Sequence, residues 1–515
     1  MIITIKFIKK VLFSRAFLVV VLILIQILFY ALVANVLYDY SIYLHVGAYI
    51  LSILLALYIL SMKNGTFDVK LPWVILILVF PVFGSLFYFL FHQQRVRKKV
   101  RKNIENQAYA TKKMDYNQEE IYNKLLKKDK RMYNQSNYIY KTNNLPVYQN
   151  TETKYLKIGE EFYASLLEEL KKAEKFIFIE MFIIRQGKMW NSIFNILKEK
   201  AAAGVDVRIL YDDFGCINSL PYHYEQHIRK YKIKCEVFNP IYPVVTLAHN
   251  NRDHRKIIVI DGNVAFTGGI NLADEYINET IRFGHWKDTG ILLKGDAVKS
   301  FTLMFLENWH IYQNRDENYK QFMPTTTSIY EKKSFIQPYM STPMDSEELV
   351  ARNVYINILN DATDYVYITT PYLILDQELE TALLNAAKRG VDVRIITPHI
   401  PDKKYVYAVT RSNYTSLLKA GISIYEYTPG FIHAKNVCSD DKVATTGSIN
   451  FDNRSFYHSY ECGVWLYNSE SVLDIKKDFL ATQEISLKIN EDFVYKIPLS
   501  KKITTCLWRM LSPLL

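Results

Sequence analysis

Three long stretches in the first ninety positions carry almost no charge, and charged residues become frequent after them. Residues 17–38, FLVVVLILIQILFYALVANVLY, form an uncharged run of about one bilayer's helix length. Residues 42–61 are a second such run, interrupted only by Ser, Tyr, His and Gly. The third is 71–91, LPWVILILVFPVFGSLFYFLF. Pro72 stands where a helix can begin, whereas Pro81 and Gly84 predict a bend or break in its middle. A signal peptide would have a shorter apolar core and a small-residue cleavage site, so a retained anchor is expected over 1–94, with two to three transmembrane segments.

Basic residues flank this region on both sides: Lys6, Lys9, Lys10 and Arg15 before it, and Arg95, Arg97, Lys98, Lys99, Arg101 and Lys102 after it. Both clusters favour the cytoplasmic face, yet three full crossings would separate them. The broken third run is therefore expected to be re-entrant or incompletely inserted, with the remainder of the chain in the cytoplasm. Residues 95–145 are polar, with few aliphatic positions beyond Ile104, Ile121, Leu125 and Leu126. They read as a polybasic linker, either solvated or held against anionic headgroups.

Beyond the linker, short apolar runs alternate with helix-like stretches, which is an α/β pattern. FIFIEMFII (176–184) and YVYITTPYLIL (365–375) are candidate buried strands. Each precedes a related phrase: AAAGVDVRILYDD at 201–213 and AAKRGVDVRIITP at 386–398. Gly204 and Gly390 suit helix C-terminal caps before the following strand. The repeat predicts a duplicated unit, with halves at 146–330 and 331–500. A tail at 501–515 mixes Lys501, Lys502 and Arg509 with Leu507, Trp508, Met510 and Leu511, and reads as a short amphipathic segment.

Each half carries the same polar constellation. The first is His254, Lys256 and Asp261, followed by Gly268, Gly269 and Asn271; the second is His433, Lys435 and Asp440, followed by Gly447, Ser448 and Asn450. His and Lys at i and i+2 of a strand share one face, so an imidazole and an ammonium can meet one phosphate. The ammonium offsets charge that grows on phosphoryl oxygens in a transition state. Asn271 and Asn450 are candidate substrate donors, together with Ser448, and Gly268 and Gly447 allow close backbone approach. Asp261 and Asp440 complete the catalytic motif by sequence, although their place after an aliphatic run suits bracing a turn. Two histidines permit a two-step transfer, one attacking phosphorus and the other moving the proton of the departing alcohol.

Charge and cysteine usage narrow the field. Lys and Arg number 63 against 52 Asp and Glu, a net charge of +11, which fits an anionic partner. The uncharged runs point to membrane lipid rather than nucleic acid. Five scattered cysteines with no CxxC pair argue against a disulfide framework and a zinc site. No carboxylate cluster or HExxH pattern offers a metal, and no cofactor is expected.

The duplicated His-x-Lys-x4-Asp motif resembles the phospholipase D superfamily. The phrases DHRKIIVIDGNVAFTGGINLADEY, TTPYLILDQELETAL and GISIYEYTPGFIHAKN are similar to those of bacterial cardiolipin synthases, as is the 71–91 segment. The resemblance implies two α/β halves, each a mixed sheet flanked by helices, sharing one site after an N-terminal membrane anchor. It implies transfer of a phosphatidyl group between two phosphatidylglycerols through a phosphohistidine, at a bacterial cell membrane rich in anionic lipids. By position, His254 is the implied nucleophile and His433 the general acid and base. Asp288 is the implied orienting carboxylate of His254, and Glu461 that of His433. Glu180 and Tyr372 fall near the implied pocket, and Arg454 is placed to bind a second phosphate or brace a loop. A lipid hydrolase, another phosphatidyltransferase such as a phosphatidylserine-forming one, and a non-catalytic membrane scaffold are the rivals; two intact motifs argue against the last, because buried cations without an anion are costly.

Overall fold

A computed structural model of the chain describes residues 15–35, 38–62, 67–91, 119–240, 251–312, 317–325, 330, 333–343, 348–490 and 508–509. It divides into two compact units, one of residues 1–98, 239–251 and 510–515, the other of 99–238 and 252–509.

In the first unit the uncharged runs form helices α1 (Arg15–Asn35), α2 (Ser41–Ser61), α3 (Phe67–Val79) and α4 (Pro81–Phe91). The third run breaks at Phe80, as Pro81 and Gly84 predicted. The break is a reversal. A Cβ placed on Gly84 would lie 2.4 Å from the Leu76 carbonyl oxygen and 2.7 Å from the Ile77 Cα. Eight residues of straight helix would hold those positions about 12 Å apart. Only glycine lets α4 return so closely along α3. The Phe83 amide at the start of α4 has no carbonyl of its own helix to reach, and it donates to Gln26 Oε1 of α1 at 2.7 Å. Trp73, Ile77 and Tyr88 of this hairpin pack with Ala56 and Ile59 of α2. Among the described residues, Tyr38–Ser61 is the stretch long and apolar enough to cross a membrane, while Ile23–Val33 and Lys70–Val79 are shorter. The helices by themselves thus support one full-length span rather than two or three. The basic clusters at 6–10 and 95–102 lie outside the described residues.

The second unit holds the repeat. Its first half contributes β1 (Thr151–Leu156), β2 (Phe176–Met181), β3 (Asp206–Asp212), β4 (Lys234–Phe238), β5 (Arg252–Asp253), β6 (Ile257–Ile260), β7 (Val264–Gly268), β8 (His285–Lys287) and β9 (Gly290–Gly295). The second contributes β10 (Phe335–Ser341), β11 (Tyr365–Thr369), β12 (Asp392–Pro398), β13 (Ser423–Tyr427), β14 (Gly430–Ile432), β15 (Asn436–Ser439), β16 (Val443–Gly447), β17 (Ser459–Tyr467) and β18 (Ser486–Ile489). The sheets run β1-β9-β7-β6-β2-β3-β4 and β10-β17-β16-β15-β11-β12-β13-β18. Apart from β18, the two orders are the same. Each is mixed: β2-β3-β4 and β11-β12-β13 are parallel, and the remaining neighbours in each order are antiparallel.

Strand alternation assigns the two faces. Ile177, Ile179, Ile258 and Ile260 pack with Phe162, Leu166, Trp190 and Ile193, which belong to α5 (Gly159–Lys172) and α6 (Lys188–Ala202). Their strand neighbours Phe176, Phe178, Ile257 and Val259 face the other way, into a core shared with Phe301 and Phe305 of α7 (Val298–Tyr312). That core also takes Tyr367, Ala444, Cys462 and Val464 from the second half. The two sheets therefore share one hydrophobic interior. The second sheet's outer face packs on α8 (Val350–Asp361) and α9 (Gln377–Lys388), and the half also contains α10 (Lys404–Ser412) and α11 (Glu470–Glu484).

Part of the expected linker is not solvated. Residues 119–128 and 130–143 are helical, with Leu125, Met132 and Ile139 buried among second-half residues. Ser136 Oγ donates to Gln337 Oε1 at 2.7 Å, and Trp465 Nε1 donates to Gln135 Oε1 at 3.0 Å. Residues 92–118 lie outside the described residues, as does the tail apart from 508 and 509.

Asp261 and Asp440 occupy left-handed turns, φ 53° and 54°, at the ends of β6 and β15 remote from the lysines. Asp261 accepts from the amides of Glu174, Lys175 and Phe176 at 2.7–2.8 Å. Asp440 does the same for Thr363, Asp364 and Tyr365 at 2.8–3.0 Å. They belong to the motif because they clamp the next strand's start, and their place among catalytic residues is corrected accordingly. Partial burial would raise the Asp440 carboxyl, but these amide donors outweigh it and hold it below the usual range. A depressed carboxylate stabilises the fold above its unfolded value, and that contribution fades as pH falls through the folded one. Asp440→Asn should thus lower the thermal midpoint of detergent-solubilised protein by roughly 1–3 °C at pH 7. That gap should narrow as pH falls below the ordinary carboxylate range and through the depressed folded value; a gap independent of pH would refute the charge-based account.

Candidate active site

The histidines stand on two short strands that cross between the halves. β5 of the first half pairs in parallel with the start of β17 of the second, placing Arg252 opposite Ser459 and Asp253 opposite Tyr460. β14 of the second half pairs in parallel with β8 of the first, placing Phe431 opposite Trp286 and Ile432 opposite Lys287. One further residue along each register sets His254 opposite Glu461 and His433 opposite Asp288. The backbone continues the pairing, since the His254 amide donates to Tyr460 O at 2.9 Å and the His433 amide to Lys287 O at 2.7 Å.

The side chains follow. His254 Nδ1 lies 2.9 and 3.0 Å from the two Glu461 carboxylate oxygens, and His433 Nδ1 lies 2.6 Å from Asp288 Oδ2. This reverses the expected partnership, which kept each histidine with one carboxylate by order along the motif. The reason is topological: the strand bearing each carboxylate lies beside the other half's histidine. With Nδ1 engaged, each Nε2 is left to face a ligand.

Lys256 and Lys435 are buried beside the rings, and each Nζ donates to the carbonyl of its own histidine, Lys256 at 2.6 Å. Burial pushes Lys256 down to about 8 and Lys435 to about 7, against the opposing pull of Glu461 and Asp288. Burial and the two ammonium groups hold both histidines well below their ordinary value. Burial raises Asp288 and Glu461 to about 7, opposed by the same lysines. All six groups resist carrying charge in a dry site, and an anion placed between them would favour the protonated lysines.

The other expected residues divide. Ser448 donates to Glu461 and accepts from the Cys462 amide at 3.1 Å, so it orients a carboxylate rather than reaching substrate. Gly269, at the matching place, leaves room for Asp288: a Cβ there would lie 2.1 Å from Asp288 Oδ1. Gly268 (φ 147°) meets its own sheet, since a Cβ would lie 2.4 Å from the Thr289 carbonyl oxygen; close approach to substrate is not its role. Asn271 accepts from the Ile183 amide at 3.0 Å and donates to Tyr276 Oη at 2.6 Å, which makes it a brace. Asn450 keeps a buried carbonyl oxygen without a partner. Tyr372 donates to Asp402 and lies 6.5 Å by ring centroid from Phe431, a neighbour of His433.

Sequence reasoning missed two supports. Arg255, between the first histidine and lysine, is buried against Glu180 at 2.8 Å and Asp253 at 3.0 Å, and Asn308 of α7 donates to both acids. That explains Glu180, which sits behind the site rather than in it. His433 instead lies among the rings of Tyr276, Trp286 and Phe431, each 5.7 Å away by centroid. An Arg within an aliphatic strand phrase and a Trp two residues before Asp288 were the available signals.

The family model described as cardiolipin synthase, PLD-like domain, matches twice, at 166–281 and 355–482. A cardiolipin synthase of Alkalihalophilus pseudofirmus is 34% identical over 90% of this chain and 92% of its own length. This chain belongs to the cardiolipin synthase family. As such it is a phosphatidyltransferase of the phospholipase D superfamily, acting on phospholipid at a membrane. Cardiolipin synthase 2 of Bacillus anthracis is 33% identical over 89% of both chains, and an uncharacterized Streptococcus mutans protein is 43% identical over 89% of this chain and 99% of its own. The model described as phospholipase D-nuclease N-terminal matches 50–92, the part containing the reversed hairpin. The crystal structure of Haemophilus influenzae phosphatidylserine synthase superposes with a TM-score of 0.56 at 14% identity, over 75% of this chain and all of that one, a likeness of fold.

The crossed pairing can be measured. Stability cycles should give coupling of about 1–3 kcal/mol for His254→Ala with Glu461→Gln and for His433→Ala with Asp288→Asn. The within-half combinations, His254 with Asp288 and His433 with Glu461, should stay below about 0.5 kcal/mol. Larger within-half coupling would reject the exchange.

Proposed function

We propose that this enzyme joins two phosphatidylglycerols into cardiolipin, releasing glycerol. The observation that carries the reading is the paired constellation: two buried lysines and two histidines, each histidine braced through Nδ1 by a carboxylate of the opposite half. In the first step His254 Nε2 attacks phosphorus, and the P–O bond to the departing glycerol breaks as His433 gives that oxygen a proton. In the second step His433 takes the proton from the free hydroxyl of another phosphatidylglycerol. That oxygen attacks phosphorus, and the P–N bond breaks to restore His254. Lys256 and Lys435 hold the non-bridging oxygens, whose charge grows in both steps. Glu461 and Asp288 steady the imidazoles and offset the charge of an imidazolium.

The same reading takes 1–94 as the anchor, the region around 95–102 as a basic collar for anionic lipid, and 146–330 with 331–500 as the catalytic halves. It faces them to the cytoplasm, on the strength of the basic cluster that precedes them. Hydrolysis on this scaffold would need only water as the second acceptor.

Purified protein given labelled phosphatidylglycerol, without nucleotide or metal, should yield cardiolipin and glycerol, and either histidine changed to Ala should abolish both. Phosphatidic acid as the sole product would make the enzyme a hydrolase instead. A donor with a p-nitrophenol leaving group needs no protonation on departure. It should restore the first-step burst of His433→Ala by about 10²–10⁴-fold but not that of His254→Ala; rescue of His254→Ala alone would exchange the two roles.

A further inference from the structure

We propose that the rim of the active site is itself a membrane-contact surface, on which apolar side chains from both halves insert among the headgroups of an anionic bilayer. The inference rests on the lipid substrate just proposed and adds where that substrate enters. β3 and β12 occupy the same place in the two sheets, and each is followed by a segment carrying exposed apolar residues. Phe214 and Ile217 follow β3, with Ile217 51% exposed; Ile400 and Tyr405 follow β12. Ile281 is 85% exposed on the 278–284 loop that leads into β8. Solvent-facing Ile to this extent has no role in the packing of the halves.

These loops adjoin the site. Phe214 covers the Arg252 guanidinium, two residues before His254, and Gly215 lies against the carbonyl of Phe182, whose ring meets the His254 ring at 4.9 Å. The 278–284 loop places Phe283 against Trp286 and Phe431, which surround His433. Ile400 reaches within 3.4 Å of the Cβ position of Gly284, and Lys403 lies over the Tyr372 ring. These apolar residues thus stand beside the side chains that surround the two histidines, whereas other exposed apolar residues of the unit, such as Ile485 and Leu487, follow α11 and have no such neighbours among the contacts above.

The charge pattern selects a lipid surface as the occupant. The segment 214–223, FGCINSLPYH, carries no Lys, Arg, Asp or Glu. On the neighbouring loop Glu279 is neutralised by Lys188, and Arg282 is paired with buried Glu275. Lys403 and Lys404 are exposed beside Tyr405, whose ring stands 5.6 Å from that of exposed Trp508. Apolar side chains flanked by lysines and a Tyr–Trp pair are the composition of an interfacial belt. A site opening through such a surface can take a diacyl lipid's phosphate while its chains stay in the bilayer.

The test uses the full chain in phosphatidylglycerol vesicles, with Cys506→Ser and a single polarity-sensitive label. The labelled site is Ile281→Cys, with Lys388→Cys as the control because it precedes β12 at the opposite end of the sheet. Headgroup-region nitroxide lipid should quench the label at 281 several-fold more than at 388; equal quenching would overturn the proposal. The result does not depend on which lipid product is made, so failure of the cardiolipin reading stays separate. Ile217→Asp with Ile281→Asp should lower turnover of vesicle-borne phosphatidylglycerol on the order of tenfold. Turnover of a monomeric short-chain phosphatidylglycerol should be unchanged. Equal loss on both substrates would also overturn the proposal.

Discussion

The exchange of strands between the halves is the constraint on which the site depends. β5 and β14 are short, and each finds its parallel partner in the opposite half. Without that pairing, His254 would lose Glu461 and His433 would lose Asp288, leaving carboxylates and lysines buried without their partners. Removing one member of such a set is costly, because the remaining charge stays desolvated. The shared core beneath, from Phe178 and Val259 to Ala444 and Val464, holds the sheets in the register that the exchange requires. Duplication thus gave two half-sites that are complete only when docked.

Burial of the ionisable groups makes the site unfavourable for charge until an anion arrives. Lys435 at about 7 and Lys256 at about 8 can lose their protons near neutral pH, and burial with the two ammonium groups pulls both histidines well below their ordinary value. In the proposed reaction a phosphodiester carries one negative charge into this space, which favours both ammonium groups and a proton on His433 Nε2, while His254 stays neutral to attack. Binding and activation are the same electrostatic event. A solvated site with the same residues would keep its lysines charged but would stabilise the transition state far less.

Much of this was legible in the sequence, and the reasons for the rest are physical. The repeated GVDVRI phrase and the matched His-x-Lys-x4-Asp spacing located β3, β12 and the histidine strands, because alternation and glycine caps are local signals. Pro81 and Gly84 marked the hairpin for the same reason. Partner choice is not local: Asp288 and Glu461 follow their motifs along the chain, and only the parallel crossing of two- and three-residue strands separates them from the expected histidines. Residues 119–143 read as a linker because Leu125, Met132 and Ile139 are few among many charges, although they suffice to bury one helical stripe. Ser448 and Asn271 looked like substrate donors because a hydroxyl or amide on a glycine-rich turn gives no hint that Glu461 or Tyr276 will occupy it.

The two halves are not equivalent, and the difference bears on which histidine does what. The residues flanking His254 are Arg252, Asp253 and Arg255, with Glu180 across the sheet; the matching positions around His433 are Phe431, Ile432, Ala434 and Thr369. The first histidine is therefore fixed by a buried ionic lattice reaching Asn308 of α7, and the second sits in an aromatic box beneath the exposed rim. A nucleophile must return to one position relative to phosphorus in both steps, and an ionic lattice with directional hydrogen bonds enforces that. A proton carrier must serve first a departing alcohol and then an arriving one. Beyond the Asp288 hydrogen bond to Nδ1, the aromatic surroundings restrain its ring by packing. In the proposed mechanism, the same apolar walls would favour a lipid alcohol over water at the second step. The asymmetry of the two halves thus supports the proposed division of roles, with His254 as nucleophile and His433 as proton carrier.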